Sequence, residues 1–280
     1  MTTASCASSA VTAHCFGAAA LLPAPALAQS AQSNWESGPW QFAATIYGWI
    51  PAIDGKVNYA GDTRTSDLHL SMHDVLSNLK MTFQGALDAH NGRWGIFNDL
   101  IYVDLGGVKS QTHDFSIGGI GIPASATADL SVDFKATVWT VAGEYRLTSD
   151  PAWTVDLLAG ARMLQVRPTL GFAINGDLGP INLPGRSGSK RANESVWDGV
   201  VGVKGRYAIG DERKWFVPFY LDVGTGQPKL TWQGAAGVGY AYHWGEVVAM
   251  YRHLDWNAKS GKQIEDLNMG GPMIGVTFRW

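Results

Sequence analysis

Three groupings of histidine with carboxylate stand out as candidates for chemistry: His69, His73 and Asp74; His113 and Asp114; and His253 with Asp255. A histidine beside a carboxylate can hold and polarise a water molecule, so these groups are the candidates for hydrolytic chemistry. His69 and His73 are four apart, but the helix signal starts only at Ser71, which argues against a shared helical face. His253 and Asp255 are two apart and share a strand face. No Ser-His arrangement, phosphate loop or dinucleotide fingerprint is present, and Gly118-Gly119-Ile120-Gly121 reads as a glycine-rich loop. Asp54, Asp62 and Asp67 offer oxygens to calcium without the spacing of an EF-hand. The expectation is a protein that is not an enzyme and has no catalytic, cofactor or metal centre.

A second stock of chemistry is larger. Lys80, Asp88, Asp99, Glu144, Arg146, Asp156, Arg162, Asp198, Lys204, Arg206, Asp222 and Arg252 sit on segments that alternate with period two. The opposite face of each segment is apolar. Residues 195–209 place Trp197, Val201, Val203, Tyr207 and Ile209 against Asp198, Lys204 and Arg206. Residues 80–90 place Met81, Phe83, Leu87 and Ala89 against Lys80, Gln84, Asp88 and His90. Charges of nearly balanced sign on the faces opposite the apolar ones imply a polar interior, either salt-bridged or lining a narrow lumen. Inward glycines at 160, 202, 224, 237 and 239 argue for some open space. In a conducting barrel, Arg146, Arg162, Arg206 and Arg252 would favour anions or small polar solutes.

About ten such segments follow one another, near 40–50, 80–90, 93–105, 132–147, 152–166, 195–209, 214–224, 230–243, 246–256 and 268–280. Those at 93–105 and 246–256 alternate poorly. The connections also alternate: short ones at Asn91-Gly92, 148–151, 210–213 and 244–245, long ones at 51–79, 106–131, 167–194 and 257–267, with one short exception near Thr225–Lys229. A closed all-β, antiparallel, transmembrane up-and-down barrel of about ten strands fits this pattern, with eight or twelve as the fallback counts. Short turns and both ends of the barrel then face the periplasm. Residues 71–79 read as a short helix in the first extracellular loop, capped by Ser71, with Met72, Val75, Leu76 and Leu79 set to lie on the rim or fold inward.

Composition agrees. Hydrophobic residues make up 46% of the 280 and charged residues 16%, with net charge −3, which gives no basic face for nucleic acid. No run approaches the ~18 apolar residues of a membrane-spanning helix. Of the 12 tryptophans, 40, 94, 153, 215, 244 and 280 are expected at periplasmic strand ends, and 49, 139, 197, 232 and 256 near the other ends; Trp35 lies in the tail. The first 28 residues, with an apolar run from Cys15 to Leu22 and Ala26-Leu27-Ala28, read as a signal peptide cleaved near Ala28. Both cysteines, Cys6 and Cys15, lie inside it, so the mature chain has no thiol chemistry. Residues 29–39 form a short periplasmic tail and 40–280 one barrel domain.

A cleavable presequence, alternating strands and a last strand ending Val276-Thr277-Phe278-Arg279-Trp280 resemble the Gram-negative outer-membrane β-barrel superfamily, small single-chain branch. The resemblance covers most of residues 40–280. It implies residence in the bacterial outer membrane among lipids and lipopolysaccharide, and recognition by the barrel-assembly machinery through the strand ending at Trp280. Function is read as a structural barrel or a narrow passive channel for small solutes, with an adhesin-like loop surface as the alternative. A hydrolase like the ten-stranded outer-membrane proteases is a weaker one, since their paired Asp-Asp and Asp-His pattern is not matched.

Overall fold

In the computed structural model the described residues are 39–57, 66–109, 116–117, 120–121, 127–150, 152–175, 177–178, 181–182, 186–259 and 264–280. The signal peptide, most of the tail with Trp35, and His113, Asp114 and Asp62 lie outside them. Ten antiparallel strands close into a barrel. They are β1 (Trp40–Trp49), β2 (Leu79–Asn91), β3 (Trp94–Lys109), β4 (Thr127–Ser149), β5 (Trp153–Asn175), β6 (Glu194–Ile209), β7 (Trp215–Gly226), β8 (Leu230–Ala241), β9 (Glu246–Asn257) and β10 (Ile264–Arg279). Each strand pairs with its neighbour in sequence, and β1 pairs with β10 from Ala43↔Arg279 to Trp49↔Met273, which leaves the ten-strand cylinder without an edge. No described helix is long and apolar enough to cross a membrane. The spanning elements are strands.

Side chains sort as the alternation requires, apolar outward. Ile46, Leu87, Val201, Leu221, Val238 and Ile274 are exposed, while Asp99, Glu144, Arg162 and Arg252 are buried inside. Outward aromatics at the turn end form a nearly continuous band. Trp153 packs on Tyr207 at 4.5 Å between ring centroids, Trp215 on Tyr240 at 5.0 Å, and Trp280 on Phe42 at 5.9 Å. The band at the loop end is thinner, with Trp139 against Trp197 at 6.1 Å and Trp232 against the His253 ring at 4.7 Å. Trp49 and Trp256 do not belong to it; both are buried inside the barrel. Their strands continue inward-facing positions upward, where the interior turns from polar to apolar.

That change corrects a second expectation. The segments read near 132–147 and 152–166 run on to 23 residues each, as β4 and β5. At about 3.3 Å per residue such a strand far exceeds a hydrocarbon layer of about 30 Å. The excess stands beyond the loop-end aromatics, where Ala52–Val57 continues the wall against β10 and Arg186–Arg191 against β5. Inside this upper segment Leu105, Phe134, Leu164, Val166, Leu254 and Leu267 form an apolar core. It also explains the weak alternation at 93–105 and 246–256: Ile101, Val103 and Leu254 are apolar yet inward.

Turn details follow local chemistry. Asn91 still pairs with Trp94, so the first turn is Gly92–Arg93, one residue later than the spacing suggests, with Gly92 at φ 63°. Helix α1 (Met72–Ser77) has Ser71 as its N-cap in a reciprocal capping box: the Asp74 N–H donates to the Ser71 hydroxyl, and the Asp74 carboxylate accepts from the Ser71 N–H at 3.0 Å. Val75 anchors the helix in the apolar core while Met72 and Leu76 remain exposed on the rim.

Two outcomes are expected. Leu221 is exposed and pairs with Val203, about midway between the Trp197 and Ile209 levels of β6. Leu221→Lys should cost about 2–4 kcal/mol of stability in lipid vesicles by denaturant titration, because it places an ammonium at mid-bilayer. Hydrogen bonds from Ser71 hold the Asp74 carboxyl below its ordinary value of 3.8. A depressed folded value means these bonds add stability above the unfolded pKa and lose it as pH falls through the folded one. Hydrogen-exchange protection of the Val75 amide should therefore fall below pH 3.8, and be low without that pH step in Asp74→Ala.

Candidate functional site

The inward faces of the strands converge on a ladder of paired charges. At the turn end Glu246 of β9 binds Arg206 of β6, and its second oxygen takes Arg279 of β10 at 3.0 Å. The Arg206 guanidinium lies 4.0 Å from the Phe216 ring centroid. One level up, Arg146 of β4 grips Asp156 of β5 with two bonds, 2.8 and 3.1 Å. Lys204 of β6 reaches across the lumen to Asp88 of β2 and to Glu144 of β4, the latter at 2.5 Å. His90 joins the same group, its ring laid over Gly95 of β3; a Cβ there would stand 2.6 Å from the ring.

Above this level two arginines are fully enclosed. Arg162 of β5 donates to Asp222 at 3.1 Å, to Asp198 at 3.3 Å and to the Thr231 hydroxyl at 2.9 Å, while Tyr220 donates to Asp222 at 2.6 Å. Arg252 of β9 donates to Asp99 at 2.7 Å, to Gln233 at 2.9 Å and to the Tyr47 hydroxyl at 3.0 Å. Tyr47 passes a further bond to Asp99 at 2.5 Å. A buried ion is tolerated only when paired and hydrogen-bonded, and here each guanidinium serves three acceptors, although the Nε of both arginines is left without a partner. The ring faces of Trp256 and Trp49 cap them, each 5.2 Å from the guanidinium of Arg162 and Arg252 respectively. The charged ladder therefore ends under the apolar core, and the two inward tryptophans form the seam.

Eleven of the twelve sequence-nominated charges, from Asp88 to Arg252, meet in this interior. Lys80 does not. It sits at a bulge between Leu79 and Met81, exposed, and binds Asp133 at 3.2 Å on the outer wall above the bilayer. The bulge adds a residue and breaks the alternation on which its inward reading rested. The inward glycines also fail to open a lumen: a Cβ on Gly160, Gly202 or Gly237 would strike the neighbouring strand, the Phe216 ring covers Gly239, and Asp198 and Thr231 crowd Gly224. Tyr47, His90, Tyr220, Gln233 and Glu246 are equally part of the network. Parity along their strands was their only signal in the sequence.

Among the described residues, the histidine–acid candidates do not assemble. His69 pairs with Asp54 in the upper wall, and His73 approaches the Ser77 hydroxyl at 3.3 Å. His253 and Asp255 share the outward face, with Asp255 3.4 Å from Asn268 and the His253 ring on Trp232.

The geometry defines a transmembrane β-barrel with a filled interior. Among solved structures, the chain is similar to the outer membrane protease OmpT of Escherichia coli, at 9% identity over 86% of this chain and 97% of that one, TM-score 0.49. It is also similar to Ail, the attachment invasion locus protein of Yersinia pestis (11%, 86% and 98%, TM-score 0.32), and to the toluene transporter TodX of Pseudomonas putida (8%, 86% and 88%, TM-score 0.28). These neighbours are Gram-negative outer-membrane barrels with different activities, and the likeness is one of chain course. No family model and no curated protein matches the sequence.

Arg162→Ala strands Asp198 and Asp222 in the interior without their cation. Its expected cost is about 3–5 kcal/mol by urea unfolding in lipid vesicles. Adding Asp198→Asn and Asp222→Asn should restore a large part of the loss.

Proposed function

We propose that the protein is a sealed barrel of the Gram-negative outer membrane, a structural anchor that carries a rigid β-extension outside the cell rather than a pore. The observation that carries this reading is the occupancy of the interior along its length. Paired charges fill the membrane-level section from Glu246 to Arg162, and the apolar core around Leu105, Phe134 and Leu254 fills the section above. Ten strands enclose little more than the barrels whose side chains already fill them. The arginines that would select anions in a channel, Arg146, Arg162, Arg206 and Arg252, are each committed to a carboxylate. A solute would have to break those pairs in a low-dielectric setting.

The same reading places the short turns in the periplasm and the extended far ends of β4 and β5, where Thr127 pairs with Asn175, outside among lipopolysaccharide, whose acyl chains meet the exposed apolar belt. These strand extensions and the wall strands beside them give a firm platform for a binding surface, which favours an adhesin-like role over hydrolysis. An enzyme role gains nothing from histidines that point to lipid or pair singly in loops. Delivery by a cleaved presequence and assembly through the terminal strand, where Phe278 and Trp280 are exposed at the closing seam, complete the proposal.

Planar-bilayer recording tests it. Refolded protein should stay silent at loadings where a porin gives stepwise conductance, and steps from the wild type would overturn the sealed-barrel reading.

A further inference from the structure

The turn-end group around His90 differs from the rest of the ladder. Asp88, Glu144 and Asp156 face two permanent cations, Lys204 and Arg146, together with the His90 ring. The carboxylates converge on a single atom, His90 Nε2: Glu144 Oε2 lies 2.5 Å from it, Asp88 Oδ1 3.1 Å and Asp156 Oδ2 3.7 Å. Yet neither ring nitrogen of His90 and neither oxygen of Glu144 makes a hydrogen bond of acceptable geometry, although both side chains are buried. A ring nitrogen crowded by acceptors but aligned with none is the arrangement of ligands around a shared centre, not of a proton bridge.

We infer that Asp88, His90 and Glu144, whose ligand atoms lie within 4.8 Å of one another, form a binding site for a divalent cation of the zinc class at the periplasmic end of the barrel. One imidazole with carboxylates is a donor set that suits such an ion, with bonds of about 2.0–2.2 Å reached by small side-chain shifts. Gly95 supplies the room, since any side chain there would push the His90 ring away from Glu144. The Asp88 and Lys204 side chains keep 25% and 15% of their exposure, which leaves a path from the turn end. Lys204 holds the place of the metal in its absence. When the ion enters, the ammonium withdraws from the carboxylates towards the Phe97 ring, whose centroid is already 4.5 Å away. The bound ion ties β2 to β4 across β3, closing the foot of the barrel. Spacing in sequence puts only Asp88 and His90 on one strand face; Glu144, on another strand, is brought to them by the fold.

Zn2+ is the probe. Full-chain protein, refolded in detergent, stripped with EDTA and carrying His69→Asn and His73→Asn to silence loop histidines, is titrated by calorimetry. Heat-modifiable gel mobility reports that each variant is folded. One equivalent should bind, at least 10-fold more weakly in His90→Gln and Glu144→Gln. Lys204→Met, which removes the competing ammonium, should bind several-fold more tightly. No bound equivalent, unchanged affinity in His90→Gln, or a Lys204→Met variant that binds no more tightly would each overturn the site.

Discussion

In hydrocarbon no water is available to a peptide group, so each N–H and C=O must find its partner within the protein. The ladder between β1 and β10 meets that requirement by joining the first strand to the last. Remove it and two rows of unpaired backbone would face lipid. Once the cylinder is closed, every strand has one face in acyl chains and one in the interior. The rest of the structure follows from that division: Leu87, Val201 and Ile274 go outward, and the charges have nowhere to go but in.

An interior crowded with charges is costly to desolvate, and the molecule answers with pairing and with enclosure. Arg162 and Arg252 use their planar, multi-donor heads to serve several acceptors each, which a lysine could not do. Indole faces of Trp256 and Trp49 then cover them. Above that seam the barrel changes character and is packed like the core of a water-soluble β-protein, because its outer wall there has left the bilayer. The extension costs no membrane area and gives the loop end rigidity. Lys135 with Asp104 and Lys80 with Asp133 line its outside, polar pairs that would not be tolerated lower down.

Much of this was legible in the residues because a strand's side-chain period is two and a bilayer makes the two faces chemically opposite. The ten spans, the inward carboxylates and the turn-end aromatics all follow from that contrast. Where the contrast fades, so did the reading. Trp49 and Trp256 looked like interface anchors, yet the upper interior is as apolar as the lipid side, so alternation there carries no label. Lys80 was misplaced by one inserted residue at a bulge, and a bulge leaves no mark in a hydrophobic pattern.

What the sequence alone determined is therefore the class of the molecule: a closed antiparallel barrel, apolar outside and charged within, because period and solvent act residue by residue. What only the tertiary structure decided is which charges meet and whether the glycines leave a hole. Asp99 finds Arg252, and Glu144 finds His90 across Gly95, through the stagger and curvature of strands far apart in the chain. Those contacts depend on distances across the lumen, a property of the closed cylinder that no local spacing encodes.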